Sequence, residues 1–256
     1  DKCIIQSDGK VAKIGDILTE RGSYTAGSEV NVSSGRAMHP SAVLYESENK
    51  LLLAYTHDVG SSRAGYIQAV TPNTSGAYSN GSVSTYAAYN NSFAPTYNKL
   101  VYDSNAEKCL LLYRENNNFL ADGIGRVVSL SGNTVTIGTA VTFDTGEVNN
   151  IDAVFDPDTN RIIVAWEETV STNYLKVIVG SISGSSINFG TAQTIQVTGF
   201  KPALVYDTVN NKVILSYIDS GNNGYGVSIV GTVSSSSNDI TFARDGSNNL
   251  IKSTFY

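Results

Sequence analysis

The chain has 256 residues, a formal net charge of -6 and only 16% charged residues, against roughly 25% in an average globular protein. No run of Lys or Arg offers a footprint for a phosphate backbone, which excludes a nucleic-acid partner. The apolar stretches, about six residues at most, fall far short of the roughly 18 that a spanning helix needs, which excludes membrane insertion by a helix. The first residues are neither basic nor continuously apolar, so no signal peptide is expected; the absence of an initiator Met suggests a trimmed or processed chain.

In chain order, DKCIIQSDG, KVAKIGDI and SYTAGSEVNV read as three short strands. From His39 a pattern begins that returns three more times. In its first copy SAVLYE is a strand, ESENK a turn, LLLAY a buried strand, THDVGSSRAG a long loop and YIQAV a third strand, followed by the exposed insert Thr71 to Ser82. The second copy, from Pro95, carries the polar loop RENNNFLADG. The third holds Asp144, Glu147, Asp152, Asp156, Asp158, Glu167 and Glu168 and ends in INFGTAQTIQV. The fourth, PALVYDTVNNKVILSYIDSGNNGYGVSIVGTV, is the plainest. An aromatic ends each first strand (Tyr45, Tyr102, Phe155, Tyr206) and another closes each second strand (Tyr55, Tyr113, Trp166, Tyr217), with Lys or Arg five positions before the latter. Asp103, Asp156 and Asp207 open the intervening turns, where such residues cap their own backbone.

Four short strands repeated about every 50 residues are the signature of propeller blades. SNNLIKSTFY at the C-terminus aligns with EVNNIDAVFD as a first strand, and DKCIIQSDG aligns with EKCLLLYRE as a second. Joining the ends therefore predicts an all-β, five-bladed propeller of four-stranded blades in one domain, with Asn248 to Tyr256 closing the ring against Lys2 to Gln6. The expected blades are a shared one (residues 1–38 plus 246–256) and blades at 39–92, 93–147, 148–198 and 199–245. A four-bladed ring with an N-terminal arm is the alternative. Cys3 and Cys109 fall in equivalent second-strand positions of non-adjacent blades, so two free, buried thiols are expected and no disulfide.

Chemistry is sparse. Two histidines, His39 and His57, have no His or Cys at ligand spacing, so neither a metal site nor a cofactor is expected; no nucleophile elbow, P-loop or dinucleotide fingerprint occurs. The second-to-third-strand loops collect amides, charges and aromatics, and the expected ligand-binding face is His57, Arg114, Glu115, Asn117, Phe119, Glu168, Asp219 and Asn223, with no catalytic residue. Arg36, His39, Asn90, Asn91, Asn149, Asn150 and Lys201 join it from the connections between blades. Tyr66, Tyr174 and Tyr225 open third strands, as wedges between blades or as stacking faces for sugar rings. Asp152 with Glu115, Glu167 or Glu168 would be the acids of a glycosidase, the enzymatic alternative.

The repeat text YDTVNNKVILSYIDSGNNGYGVSIVGTV with SGSSINFGTAQTI resembles repeats in tail-fibre and other receptor-binding proteins of bacteriophages and in related bacterial surface proteins, over nearly the whole chain. The overall plan is similar to five-bladed propeller lectins, whose blade motifs do not match. The resemblance implies adhesion to a cell-surface carbohydrate or similar polymer, multivalent through a larger fibre, at an extracellular or virion surface. A structural spacer in a fibre is the third possibility.

Overall fold

The computed structural model describes residues 3–5, 11–13, 33–59, 62–72, 78–88, 95–117, 120–169 and 173–255. A two-stranded hairpin joins β1 (Cys3–Ile5) to β2 (Val11–Lys13). Four antiparallel sheets follow, each of five strands. Sheet one comprises β3 (Arg36–Tyr45), β4 (Lys50–Val59), β5 (Ser62–Pro72), β6 (Tyr78–Asn80) and β7 (Ser84–Ala87). Sheet two comprises β8 (Thr96–Asp103), β9 (Lys108–Asn117), β10 (Leu120–Ser131), β11 (Thr134–Ile137) and β12 (Val141–Asp144). Sheet three comprises β13 (Val148–Asp156), β14 (Arg161–Glu168), β15 (Tyr174–Ser183), β16 (Ser186–Phe189) and β17 (Gln193–Val197). Sheet four comprises β18 (Gly199–Asp207), β19 (Lys212–Asp219), β20 (Tyr225–Val233), β21 (Ile240–Phe242) and β22 (Ser253–Phe255). In each sheet the first three strands pair in sequence, and the outermost strand is broken into two pieces that both pair with the third.

Local chemistry accounts for the strands and their turns. Second strands begin on the repeated base, Lys50, Lys108, Arg161 or Lys212, so that Lys50, expected in the turn ESENK, is the first residue of its strand. Asp103 accepts from the backbone N–H of Asn105 and Ala106 at 2.9 and 2.8 Å, and Asp207 from Val209 and Asn210. These bonds supply the partners that a strand reversal takes away from the ladder. Two of the leading bases also staple sheets together: Lys50 Nζ donates to the carbonyl of Gly132 at 2.6 Å and Lys108 Nζ to that of Gly184 at 2.7 Å, each glycine sitting in a turn of the next sheet.

The sheets stand side by side with first strands β3, β8, β13 and β18 adjacent in that order. Three buried clusters fill the gaps. One joins sheets one and two (Tyr45, Leu52, Tyr102, Leu111), one sheets two and three (Val101, Leu110, Phe143, Trp166), and one sheets three and four (Ile163, Val177, Leu215, Ile229). Each first strand alternates between a forward and a backward face. Val43, Val101 and Val154 face forward onto the next sheet, while Tyr102, Phe155 and Tyr206 face back onto the preceding one.

The ends of this series overturn the predicted ring. Val205 continues the forward row in sheet four and is 54% exposed; Leu44, which the strand pairing makes the backward counterpart of Tyr102, is 41% exposed. Among the described residues no cluster joins sheet four to sheet one, so the four sheets form an open fan and not a closed five-bladed propeller. The C-terminal strand does not pair with Cys3–Ile5, the described part of the segment expected to receive it, which pairs instead with Val11–Lys13; Lys2 and Gln6 lie outside the described residues. Gly226, Val227 and Ser228 of β20 pair with Phe255, Thr254 and Ser253, which makes β22 the second piece of sheet four's outermost strand, as β12 is in sheet two. STF thus corresponds to VTF of Val141–Asp144 and not to AVF of β13; both texts end in an aromatic, and three residues of strand alternation do not separate an outermost strand from an innermost one. The likeness in plan to propeller lectins falls with the ring, as does the expectation of a phage-fibre propeller.

Candidate functional site

Each first strand carries an irregularity at the same place. Pairing with the second strand breaks between Met38 and Ser41, Thr96 and Lys99, Asn149 and Asp152, and Phe200 and Ala203. The first residue of each resulting bulge is left-handed although none is glycine: His39 at φ 48°, Tyr97 at 54°, Asn150 at 48° and Lys201 at 53°. Such a backbone costs on the order of 1–3 kcal/mol per residue and persists only where its surroundings hold it; bulges of this kind re-aim side chains at the rims of sheets. Here they turn the pairs His39–Pro40, Tyr97–Asn98, Asn150–Ile151 and Lys201–Pro202 into one cavity of about 480 Å³, shared by all four sheets and completed by Lys99 and Asp152.

The cavity wall is held from behind. The residues just after the bulges, Ser41, Lys99, Asp152 and Ala203, are equivalent. Leu100 N–H donates to Ser41 Oγ at 2.9 Å, Lys99 Nζ meets Asp152 Oδ1 at 2.5 Å, and Leu204 N–H donates to Asp152 Oδ2 at 2.6 Å. The series thus runs from sheet to sheet and stops at Ala203, which has no polar group to pass on. A second network fixes the first two bulges. Buried Tyr86 Oη donates to Asn98 Oδ1 at 2.7 Å, and Asn98 Nδ2 donates to the His39 carbonyl at 3.0 Å and to Thr56 Oγ1 at 3.3 Å. Burial pushes the Tyr86 hydroxyl far above its ordinary pKa, so it remains a donor at all accessible pH. Asn150 Nδ2 donates to Glu167 Oε2 at 2.7 Å.

On the cavity side, the His39 and Tyr97 rings lie 5.4 Å apart, tilted by 51°. Desolvation holds the His39 imidazole below its ordinary pKa of 6.5, hence neutral at pH 7. With Lys99 and Asp152 paired to each other, Lys201 is the one cation lining the cavity without an ion pair among the described residues.

Of the residues expected from sequence, His39, Asn150 and Lys201 line this cavity, although they stand within first strands and not in connections between sheets. Asn90 and Asn91 lie outside the described residues. The second-strand residues expected as the main face do not line the cavity. Four of them, His57, Glu115, Glu168 and Asp219, occupy one equivalent second-strand position, immediately beyond the partner of the bulge. Several are committed to local structure. The His57 ring lies 5.1 Å from that of Tyr66. Glu168 accepts from Lys176 at 2.8 Å, and Lys176 also reaches Asp144 at 3.0 Å. Buried Asp219 meets Lys252 at 2.9 Å and caps Gly221. Arg114 donates to Asn149 Oδ1 and meets Glu147 at 3.5 Å. Glu115 stands opposite Asp122 in the ladder. Asn117 ends β9 opposite Leu120, Asn223 takes a left-handed backbone at φ 56° after a short turn, and Phe119 lies outside the described residues.

Tyr97 and Lys99 escaped the sequence reading because nothing local marks a bulge inside an alternating strand. A trace exists in Pro40 and Pro202, which occupy the same bulge position in sheets one and four. Cys109 is a free thiol with no exposed surface, raised well above its ordinary pKa by burial; the side chain of Cys3 lies outside the described residues. Among the described residues no group of three His, Cys, Asp or Glu could hold a metal ion. No family model matches the sequence, and no curated protein matches it.

Proposed function

We propose that this chain is a non-catalytic attachment module that recognises a cell-surface glycan or similar polymer through the cavity at its four bulges, with His57, Arg114, Glu115 and Glu168 on the surrounding strand ends. The reading rests on one observation: the four sheets share strand text and bulge geometry yet present a different residue pair to one cavity. A fixed scaffold with changing contacts is how a binding surface is diversified without disturbing the fold. The cavity falls within the roughly 300–1,000 Å³ of small-ligand pockets, and the His39 and Tyr97 rings offer apolar faces of the kind on which sugars stack. Single-site contacts of this size are weak, and several copies on one cell or particle surface would raise the avidity. The resemblance of the repeat text to receptor-binding proteins points the same way.

Hydrolysis by the usual route takes two carboxyl groups about 5–9 Å apart across the scissile bond. Among the described residues Asp152 is the single acid lining the cavity, and it is already engaged by Lys99 and by the Leu204 N–H. That favours binding over cleavage. A carbohydrate array read together with whole-cell binding tests the proposal. Tyr97→Gly, which removes a ring while relaxing the left-handed backbone, should abolish binding and leave the fold intact. Release of product on prolonged incubation with a bound glycan would replace attachment by glycosidase activity. No binding to any glycan or cell by a folded, multivalent preparation would leave a structural spacer.

A further inference from the structure

We infer that the cavity takes a sugar unit bearing a single anionic group, its ring against His39 and Tyr97 and its charge on Lys201. The inference rests on the recognition reading above and gives the ligand a charge. Protein as a whole carries a net charge of -6, and a general preference for anions would therefore not arise from its overall field. The cavity differs from that average. Of its ionisable lining groups, Lys99 and Asp152 neutralise each other at 2.5 Å, and His39 is neutral at pH 7. The Glu167 carboxylate that the wall also engages is held by Asn150, and Lys201 is left as the lining cation without an ion pair among the described residues. It is also one of the four left-handed residues, at φ 53°, in a conformation that a long side chain adopts only at a cost, while the neighbouring Pro202 fixes the chain beyond it.

An ammonium is a compact point charge with three rotatable donors, suited to a monoanion and not to the flat fork that a guanidinium recognises. The rings of His39 and Tyr97 stand on the first and second sheets and Lys201 on the fourth, so ring and charge would be held from separate walls. A carboxylate of a uronic or sialic acid and a sulfate ester present the same monoanionic chemistry, and the experiment separates these sources.

The test is an array carrying uronic-acid, sialylated and sulfated oligosaccharides beside their carboxyl-reduced or desulfated counterparts, followed by titration of the hits. Binding should concentrate on anionic members, and neutralising the anion should weaken it at least ten-fold. Lys201→Gly and Lys201→Asn both suit a left-handed backbone and so preserve the fold, which a thermal melt checks. Each should lose the same ten-fold on the anionic ligand and nothing on its neutral counterpart. Loss confined to carboxyl reduction, or to desulfation, assigns the source. Binding to neutral and anionic members alike, or binding to anionic members that Lys201→Gly leaves unchanged, overturns the inference while leaving the attachment reading standing; no saccharide binding at all overturns both.

Discussion

Asp152 offers the sharpest test of how the sheets are held together, because one carboxylate serves two neighbours. Its Oδ1 meets Lys99 Nζ from sheet two at 2.5 Å and its Oδ2 accepts the Leu204 N–H from sheet four at 2.6 Å. The ion pair is partly open to solvent, with side-chain exposures of 33% for Lys99 and 18% for Asp152, so screening reduces it to about 0.5–1 kcal/mol. A backbone hydrogen bond to a charged acceptor contributes about 1.5–3 kcal/mol. The hydrogen bond therefore outweighs the ion pair. Asp152→Ala should cost about 3 kcal/mol, whereas Asp152→Asn keeps an acceptor for Leu204 and should cost about 1 kcal/mol. Urea unfolding at constant m reads both, and the melting temperature should fall by roughly 6–12 °C for alanine and 2–4 °C for asparagine. Equal losses in the two variants, or a loss under about 0.5 kcal/mol in Asp152→Ala, would refute the idea that this side chain laces the third sheet to the fourth.

Gly123 lies beneath the Phe143 ring, and an added Cβ would stand 2.4 Å from it; Gly123→Ala should cost about 1–3 kcal/mol by overpacking, measured by the same unfolding assay, with Gly65→Ala under Tyr86 behaving alike. Cys109 should resist alkylation in the native protein and react fully once unfolded without reductant, as mass spectrometry would show; native labelling would contradict its complete burial.

The sequence determined what depends on near neighbours along the chain. Strand alternation and the Asp-led turns are set by two to five consecutive residues, and β4, β9, β14 and β19 each start on the repeated base, for β4 one residue before the expected LLLAY. Which face of a strand meets another sheet is not set locally. Tyr45 and Tyr102 look like one repeated aromatic, yet Tyr45 pairs with Lys50 and Tyr102 with Cys109, one position apart in the ladder. A slip of one residue turns a side chain to the other face, so Tyr45 points forward and Tyr102 back, and their rings meet at 5.1 Å between the sheets. The same blindness misread STF as an innermost strand, since an outermost strand of three residues carries the same alternation. The cavity is legible only in part: His39, Asn150 and Lys201 stand out in the sequence as connections beside the face, whereas Tyr97 and the bulges that gather all four do not. His39, Tyr97, Asn150 and Lys201 share no side-chain chemistry and are alike only in a backbone angle that register against the second strand imposes. Tertiary structure decided that these four dissimilar residues stand at one place, because only the packing of four bulged strands side by side brings them there.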